Sequence, residues 1–277
     1  MKKHYTSIIS NSFGAFASKT FPKPIQKVIN HGYVKLMKLD MSDFNNPSTY
    51  PTLNKLFTRK IENNHREITK DKNIMIAPTD SLVSDFGEIT DGKAYQIKGM
   101  EYSIQELFGE HHQEASREVE GGQFANFYLS PKDYHRYHAP QTLKITSLTH
   151  IPGKLYPVNF PLLRNKKDLF IENERVIIEG KDQNGKTFVM ALIGALNVGK
   201  MIITFEDSIH TNSDIREPQH YKYDDLTLEK GELFGWFEMG STILLFAPKG
   251  AYTPKLSINQ NVKFSEDIGT LNIGTRS

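Results

Sequence analysis

The sequence predicts an α+β protein in which an N-terminal helical subdomain packs on a mainly antiparallel β body. Apolar residues recur at helical spacing through about the first 62 residues, and from about residue 72 the chain changes to short β-rich runs separated by turn dipeptides. No internal repeat, low-complexity segment or flexible linker divides the two parts. We therefore expect a basic helical subdomain over residues 1–70 and a β-rich domain over residues 71–277.

Three helices are expected in the first part. Pro24 suits the first turn of the second helix, and Thr52 is a suitable N-cap for the third. The apolar stripes that predict the three helices are Tyr5, Ile8, Ile9, Phe13 and Phe16; Ile25, Val28, Ile29, Tyr33, Leu36 and Met37; and Leu53, Leu56, Phe57 and Ile61.

Turn dipeptides predict strands and hairpins in the second part. Asp91-Gly92 precedes a β-rich run at 94–97, and Asn184-Gly185 separates the runs 176–178 and 188–193. Such dipeptides favour the tight turns that join antiparallel strands. A short helix is expected over Ser103 to Phe108, where the serine can act as the cap.

The composition excludes several kinds of chemistry. The chain has 277 residues, 38% of them apolar, which suffices for a full core. It has no cysteine, so disulfides, thiolate metal sites and a cysteine nucleophile are excluded. We see no run of about 20 apolar residues and no signal peptide, so we expect a cytosolic protein or one peripheral to a membrane.

The charge is unevenly distributed. Residues 1–70 hold 12 Lys and Arg against 4 Asp and Glu, a net charge of +8, while the remainder carries −6. In the second predicted helix the lysines fall largely opposite the apolar stripe, which is typical of a helix on an anionic membrane and equally of an ordinary helix on a core. These lysines are Lys23, Lys27, Lys35 and Lys38.

Ser241 is the first candidate for chemistry. It lies in a Gly240-Ser241-Thr242 triplet that runs directly into the apolar segment 243–247. A Gly-Ser bond at a strand entrance can be held strained and open to attack by the serine hydroxyl. Taken alone, the triplet more often marks a turn that enters a buried strand. It is not the Gly-x-Ser-x-Gly elbow of hydrolases.

Two histidines and an aspartate are further candidates. His135 and His138 lie in a segment rich in titratable groups, and imidazole exchanges protons near neutral pH. A spacing of three places them on opposite faces of a strand, whereas in a turn they could converge. Asp80 follows an apolar run, where an Asx-type turn is its usual role, although a carboxylate there could also orient an imidazole.

A metal centre is the rival interpretation of these histidines. The further ligands available to such a centre would be His111, His112 and Asp133. The sequence contains no zinc-like spacing such as His-Glu-x-x-His, so we expect no metal.

Taken together, these segments resemble the phosphatidylserine decarboxylases, which are self-processing, pyruvoyl-dependent enzymes. The resemblance is distributed over roughly residues 10 to 250, and its most specific part is the 134–138 segment. The matching segments are Leu53-Asn54-Lys55-Leu56-Phe57-Thr58-Arg59, Ala77-Pro78-Thr79-Asp80, the stretch from Phe127 to Pro140 with Tyr134-His135-Arg136-Tyr137-His138, Asn173-Glu174-Arg175, Gly194-Ala195-Leu196-Asn197-Val198-Gly199 and Gly240-Ser241-Thr242.

The resemblance implies a role for each candidate. Ser241 would attack the carbonyl of Gly240, so that the chain breaks into a β chain, residues 1–240, and an α chain, residues 241–277, whose first residue becomes a covalent pyruvoyl group. His138 would be the base for this cleavage and Asp80 the carboxylate that orients it, in the manner of a hydrolytic triad. His135 would return a proton during decarboxylation.

The resemblance also implies the substrate and its setting. The pyruvoyl ketone would form a Schiff base with the amine of phosphatidylserine and accept the electron pair released with carbon dioxide, leaving phosphatidylethanolamine. The partners would be phosphatidylserine in an anionic membrane and the two chains of one proenzyme, with a higher homo-oligomer left open and no nucleic acid. The expected location is the cytoplasmic side of the cell membrane, with the basic helical subdomain facing the lipid.

Two positions depart from the family pattern, and three other functions stay open. Ser81 follows Asp80 where the family often has glycine, and Met239 precedes Gly240 where leucine is commoner, but neither change removes a reacting group. The alternatives are a pyruvoyl decarboxylase for a soluble amino acid, an uncleaved lipid-binding module and a metal-dependent hydrolase.

Overall fold

An eight-stranded antiparallel sheet forms the centre of the molecule, which is described here from a computed structural model covering residues 14–62, 65–97, 100–196, 200–238 and 241–272. The strands are β1 (Ile74–Ile76), β2 (Ser81–Glu88), β3 (Lys93–Ile97), β4 (Met100–Ser103), β5 (Gln123–Leu129), β6 (Arg136–His138), β7 (Leu143–Ile151), β8 (Arg175–Lys181), β9 (Thr187–Ile193), β10 (Met201–Ile203), β11 (Gln219–Leu228), β12 (Leu233–Phe237), β13 (Ser241–Ala247), β14 (Tyr252–Pro254), β15 (Asn261–Val262) and β16 (Asp267–Leu271). The helices are α1 (Lys23–Met37), α2 (Leu53–Phe57), α3 (Ile104–Phe108), α4 (Gln113–Glu118), α5 (Phe160–Asn165) and α6 (Leu169–Glu172).

The large sheet has the strand order β11-β7-β8-β9-β13-β5-β2-β15. Two three-stranded sheets, β10-β12-β6 and β1-β16-β14, and the β3-β4 hairpin complete the β structure of the described residues. Every strand pairing among them is antiparallel. The predicted α+β class is therefore confirmed.

The local signals in the β domain are confirmed as well. Asn184-Gly185 joins β8 to β9, and Gly185 has the positive φ that such a turn requires. Asp91-Gly92 lies between the bridged residues Thr90 and Lys93, just before β3. The hydroxyl of Ser103 accepts a hydrogen bond from the Glu106 amide and so caps α3 as predicted.

β13 lies in the middle of the large sheet, between β5 and β9. Its seven residues are all buried, because both faces of the sheet are covered. Ile243, Leu245 and Ala247 belong to a core shared with the two three-stranded sheets, whereas Leu244 and Phe246 face a second core shared with helices α3 to α6. A strand buried on both faces explains the continuous apolar run in the sequence.

The helical subdomain has a small core of its own. It contains Tyr33 from α1 and Leu53, Leu56 and Phe57 from α2. The Thr52 hydroxyl accepts a hydrogen bond from the Lys55 amide, which confirms the predicted cap. The helix ends at Phe57 rather than continuing to Ile61, whose side chain packs against a separate apolar cluster.

Helix α1 packs in an unexpected orientation. Its buried residues are Gln26, Asn30 and Tyr33. The Asn30 amide donates hydrogen bonds to the carbonyls of Pro47 and Tyr50, at 2.8 and 2.9 Å, so a polar contact fixes the inward face. Much of the predicted apolar stripe therefore faces outward, with exposed fractions of 51% for Ile25, 72% for Val28 and 75% for Leu36.

The first predicted helix lies mostly outside the described residues. Residues 14–18 are helical, and the stripe from Tyr5 to Phe13 is not covered. Among the helices that the structure describes, none combines the length and hydropathy needed to cross a bilayer. The domain boundary near residue 70 stays a prediction.

Candidate active site

Ser241 lies at one edge of the large sheet, where the antiparallel order brings the ends of several strands together. Ser241 opens β13 and is paired with Leu129, the last residue of β5. Ile193, the last residue of β9, is paired with Thr242, and Ser81 opens β2 on the other side of β5. The loop from β5 to β6 leaves this same edge and carries His135, whereas His138 is the last residue of β6 in the separate β10-β12-β6 sheet.

Ser241 is fully buried, and its hydroxyl has no hydrogen-bond partner among the described residues. Since side chains alternate along a strand, it faces the same core as Ile243 and Leu245. A buried hydroxyl without a hydrogen bond lowers the stability of the fold by about 1–3 kcal/mol. Packing alone therefore does not explain a serine at this position. Met239 and Gly240 lie outside the described residues.

His138 is held as a neutral ring. Its Nδ1 donates to the carbonyl of Gly231 at 2.8 Å, which leaves Nε2 as the acceptor for the Tyr134 hydroxyl at 3.0 Å. Phe264 stacks on the ring with centroids 3.8 Å apart. Burial lowers the pKa of His138 to about 4. At neutral pH the ring therefore offers a lone pair for a proton.

His135 is fully buried on a different side of the chain. Its Nδ1 donates to the carbonyl of Asp133 at 2.9 Å, and the Phe57 ring lies against it with centroids 4.0 Å apart. Its Nε2 has no hydrogen-bond partner among the described residues. Burial lowers the pKa of His135 to about 3. This ring, too, is neutral and carries an unused acceptor.

Asp80 binds an arginine rather than a histidine in this structure. The Arg66 guanidinium contacts both carboxylate oxygens, with Nη2 2.9 Å from Oδ2, and the Phe264 amide donates to Oδ1 at 2.8 Å. Arg66 also binds Asp43. Among the described residues, no hydrogen bond joins Asp80 to His138, and Phe264 forms one link between them.

The backbone ties the Asp80 turn to the histidine segment. The His138 amide donates to the carbonyl of Pro78 at 2.9 Å, and the Thr79 hydroxyl donates to the carbonyl of Tyr134 at 2.6 Å. The turn and β6 are therefore held side by side. The structure brings Asp80 and His138 into one cluster, but the described residues show no hydrogen bond from either to Ser241, so their catalytic roles stay predictions.

Sequence reasoning missed Arg66 and Phe264. Phe264 lies far along the chain from the residues that it contacts, and no local pattern marks it. Tyr134 was visible within the histidine segment, but nothing there predicted that its hydroxyl binds His138 four residues later.

Asn173 and Glu174, which the resemblance includes, support the site from the side of β9. The Asn173 amide donates to the carbonyl of Gly194 at 2.8 Å, and the Gly194 amide donates to the carbonyl of Glu174 at 2.8 Å. Gly194 directly follows Ile193, the neighbour of Thr242. This motif therefore fixes the backbone beside the start of β13.

The residues weighed for a metal centre have other contacts. His111 stacks on His220 with centroids 4.3 Å apart, and His112 Nδ1 lies 2.8 Å from the Glu179 carboxylate. The Asp133 carboxylate accepts hydrogen bonds from Ser130. In the part of the chain that the structure describes, no group of three or more such ligands is placed to hold a metal ion.

Comparison with known proteins decides the family. A family model described as phosphatidylserine decarboxylase matches residues 53–270, which is most of the chain. The chain belongs to the phosphatidylserine decarboxylase family. A phosphatidylserine decarboxylase proenzyme from Helicobacter pylori (strain ATCC 700392 / 26695) is 44% identical over 265 residues, covering 95% of this chain and 97% of the relative.

More distant members of the phosphatidylserine decarboxylase family match over the same extent. The proenzyme of Campylobacter jejuni is 41% identical, covering 94% of this chain and 97% of its own length. That of Marinobacter nauticus is 33% identical, covering 96% and 94%. The relatives are named as proenzymes, so the names themselves describe proteins that are processed after synthesis.

Proposed function

We propose that this chain decarboxylates phosphatidylserine to phosphatidylethanolamine and carbon dioxide, after cutting itself between Gly240 and Ser241. The observation that carries the proposal is the Ser241 hydroxyl, which is buried at the first position of a central strand and has no hydrogen-bond partner among the described residues. Membership of the family supplies the substrate class.

The cleavage and the formation of the pyruvoyl group need only groups of the chain and one water molecule. The Ser241 oxygen bonds to the carbonyl carbon of residue 240 as the peptide C–N bond breaks, so the amide becomes an ester and the nitrogen takes the proton. Removal of the α-proton of residue 241 then expels the ester oxygen as the carboxylate of residue 240. Water converts the resulting dehydroalanine to a pyruvoyl group and ammonia.

His138 suits the role of base. A hydroxyl is a weak nucleophile unless a base takes its proton, and a neutral imidazole is such a base. The contacts with Gly231 and Tyr134 fix both the tautomer and the orientation of the ring. Since Tyr134 occupies Nε2, its hydroxyl has to exchange this contact or pass a proton along it during cleavage.

His135 suits the second reaction. The pyruvoyl ketone, once formed, supplies an electron sink for the pair released with carbon dioxide. The carbon that loses carbon dioxide must then gain a proton. A buried imidazole whose Nε2 has no hydrogen-bond partner among the described residues can take up a proton there and pass it on. The Phe57 ring keeps water away from this imidazole.

The two fragments would stay together after cleavage. Residues 241–272 contribute β13, which is hydrogen-bonded on both sides to strands of the longer fragment and buried on both faces. β16 from the same fragment pairs with β1 from the longer one. Breaking one peptide bond removes none of these contacts, so the mature protein is proposed to be a β/α heterodimer.

The outward face of α1 supports contact with a membrane. Ile25, Val28 and Leu36 are exposed on α1, and the lysines of the same helix are exposed as well. Apolar side chains in the interface and lysines against anionic headgroups, at about 1 kcal/mol for each lysine, are the pattern of a surface-bound helix. We therefore propose that the helical subdomain lies on a membrane containing phosphatidylserine.

Decarboxylation of phosphatidylserine by the purified protein tests this function. Wild type and Ser241→Ala are incubated with phosphatidylserine vesicles and with free serine, and the amine products and carbon dioxide are measured. The proposal predicts that wild type converts phosphatidylserine to phosphatidylethanolamine and that Ser241→Ala does not. Product from free serine alone would indicate a decarboxylase of soluble amino acids, and loss of activity with chelators would indicate a metal-dependent enzyme.

A further inference from the structure

Arg59 is a buried cation, and only part of its guanidinium makes hydrogen bonds to the described residues. Its side chain is 2% exposed, and Nη2 donates to the carbonyls of Lys132 and Asp133 at 2.8 and 3.2 Å. Phe44 lies under the guanidinium, 4.4 Å from ring centroid to Cζ. Nε and Nη1 have no hydrogen-bond partner among the described residues.

This arrangement is costly without a ligand. The salt bridges of the described residues include none that involves Arg59, and burial lowers its pKa. A buried charge is usually paired with an opposite charge, and unpaired N–H groups forfeit the hydrogen bonds that water would give. Two unused donors on one planar guanidinium match the oxygens of a phosphate or carboxylate.

Arg59 lines a cavity of about 270 Å³ that is rich in positive charge. Four cations and one acid contribute to its wall. They are Lys55, Arg59, Lys60, Arg136 and Glu62. Lys55 and Lys60 are exposed, so the positive charge continues from the buried Arg59 to the surface. Arg136 is fixed by a hydrogen bond from Nε to the carbonyl of Thr58 and by stacking over Trp236.

The cavity adjoins the proposed decarboxylation residue. Arg59 Nη2 and His135 Nδ1 donate to the same carbonyl, that of Asp133. Phe57, two residues before Arg59, packs on the His135 ring. Arg136, the first residue of β6, directly follows His135. An anion bound by Arg59 would therefore lie close to the imidazole that handles the substrate proton.

We propose that Arg59, with Arg136 beside it, is the subsite that binds the phosphodiester of the substrate headgroup. This inference rests on the proposed function. Of the two anionic groups of phosphatidylserine, the carboxylate leaves as carbon dioxide, and a cation that stabilised it in the ground state would oppose the reaction. The phosphodiester keeps its charge throughout, so binding it adds affinity without that penalty.

Steady-state kinetics with a soluble short-chain phosphatidylserine test the subsite, because such a substrate separates headgroup binding from attachment to vesicles. For Arg59→Gln we expect KM to rise about 10- to 100-fold with kcat changed much less, as for an interaction present in both ground and transition states. Arg59→Lys retains the charge but loses the planar pair of donors, so an intermediate KM is expected. Lys222→Gln, an exposed lysine on β11, is the matched control.

Inorganic phosphate serves as the second probe. It should inhibit wild type competitively and inhibit Arg59→Gln about 10-fold less well. If phosphate inhibition depends on Arg59 while KM does not, the cavity binds free phosphate only and the headgroup assignment is overturned. An unchanged KM in both Arg59 variants overturns it as well.

Self-cleavage distinguishes failure of the subsite from failure of the proposed function. Each variant is checked for its two fragments and its melting temperature before kinetics. A wild type that fails to decarboxylate phosphatidylserine contradicts the function itself. If the Arg59 variants are cleaved and folded and have the wild-type KM, only the subsite is contradicted. If Arg59→Gln does not fold, the KM of Arg59→Lys tests the subsite.

Discussion

The Asp80 carboxylate binds the Arg66 guanidinium through both oxygens, and it is linked to His138 through Phe264. The Phe264 amide donates to Asp80, while its ring stacks on the imidazole at 3.8 Å. In the uncleaved chain, Asp80 is therefore placed to position the residue that holds His138, rather than to contact the imidazole itself.

This relationship predicts that Asp80 and Phe264 act together. Asp80→Asn should weaken the contact with Arg66, lower the free energy of unfolding by about 1–3 kcal/mol and slow self-cleavage. Phe264→Leu, which removes the stack but keeps an apolar side chain, should also slow cleavage. The fraction of intact chain on a denaturing gel over time measures both rates.

Phe205→Leu is the control for the aromatic change, because Phe205 contacts Tyr223 away from the site. If Asp80→Asn slows cleavage while Phe264→Leu cleaves at the wild-type rate, Asp80 acts on His138 by another route, and the positioning role is wrong.

The lowered pKa of His138 predicts an unusual pH dependence of cleavage. A base must be unprotonated, and with a pKa of about 4 the ring stays neutral as the pH falls from 8 to about 5. The cleavage rate should therefore not decline over this range and should drop below it. Newly translated chain is moved to buffers of different pH, and intact and cut forms are quantified while circular dichroism monitors folding. A half-maximal rate near pH 6.5, in folded protein, would indicate an ordinary imidazole.

His135 should affect decarboxylation and not cleavage. The ring lies against Phe57, and the described residues show no hydrogen bond or ring contact between it and His138. His135→Gln should therefore leave two fragments but reduce kcat by about 10²- to 10⁴-fold, the usual contribution of a general acid or base. Fragment analysis and product formation are measured on one preparation. Intact chain in this variant would show that His135 is needed for cleavage as well.

The exposed face of α1 predicts the strength of vesicle binding. Replacing Ile25, Val28 and Leu36 together with serine should weaken binding to phosphatidylserine vesicles at least about 10-fold, because each apolar side chain loses part of a burial energy of about 1.5–3 kcal/mol. Ile258→Ser, which alters an exposed apolar residue elsewhere, is the control. If the triple variant co-sediments with the vesicles as well as wild type does, α1 does not contribute to membrane binding.

Much of the fold could be predicted from local sequence patterns. The Asn184-Gly185 turn, the Ser103 and Thr52 caps and the apolar run of β13 each depend on residues close together in the chain. The outward apolar face of α1 could not be predicted in this way. It depends on hydrogen bonds from Asn30 to carbonyls 17 and 20 residues later.

The same distinction between local and long-range contacts applies to the candidate site. The Gly-Ser-Thr triplet and the histidine segment were visible because their residues are neighbours in sequence and match a family. The contacts of Asp80 with Arg66 and Phe264 span 14 and 184 residues, so only the folded chain reveals them. Nε and Nη1 of Arg59, which have no hydrogen-bond partner among the described residues, are likewise revealed only by the burial of the side chain in the folded chain.

Mass spectrometry of the purified, full-length gene product tests the central claim most directly. We predict two fragments, residues 1–240 and 241–277, with the smaller one lighter by one ammonia than a peptide beginning with serine and reactive toward borohydride. Ser241→Ala should give one intact chain. An active wild-type protein that remains a single chain with an unmodified serine at position 241 would contradict the account.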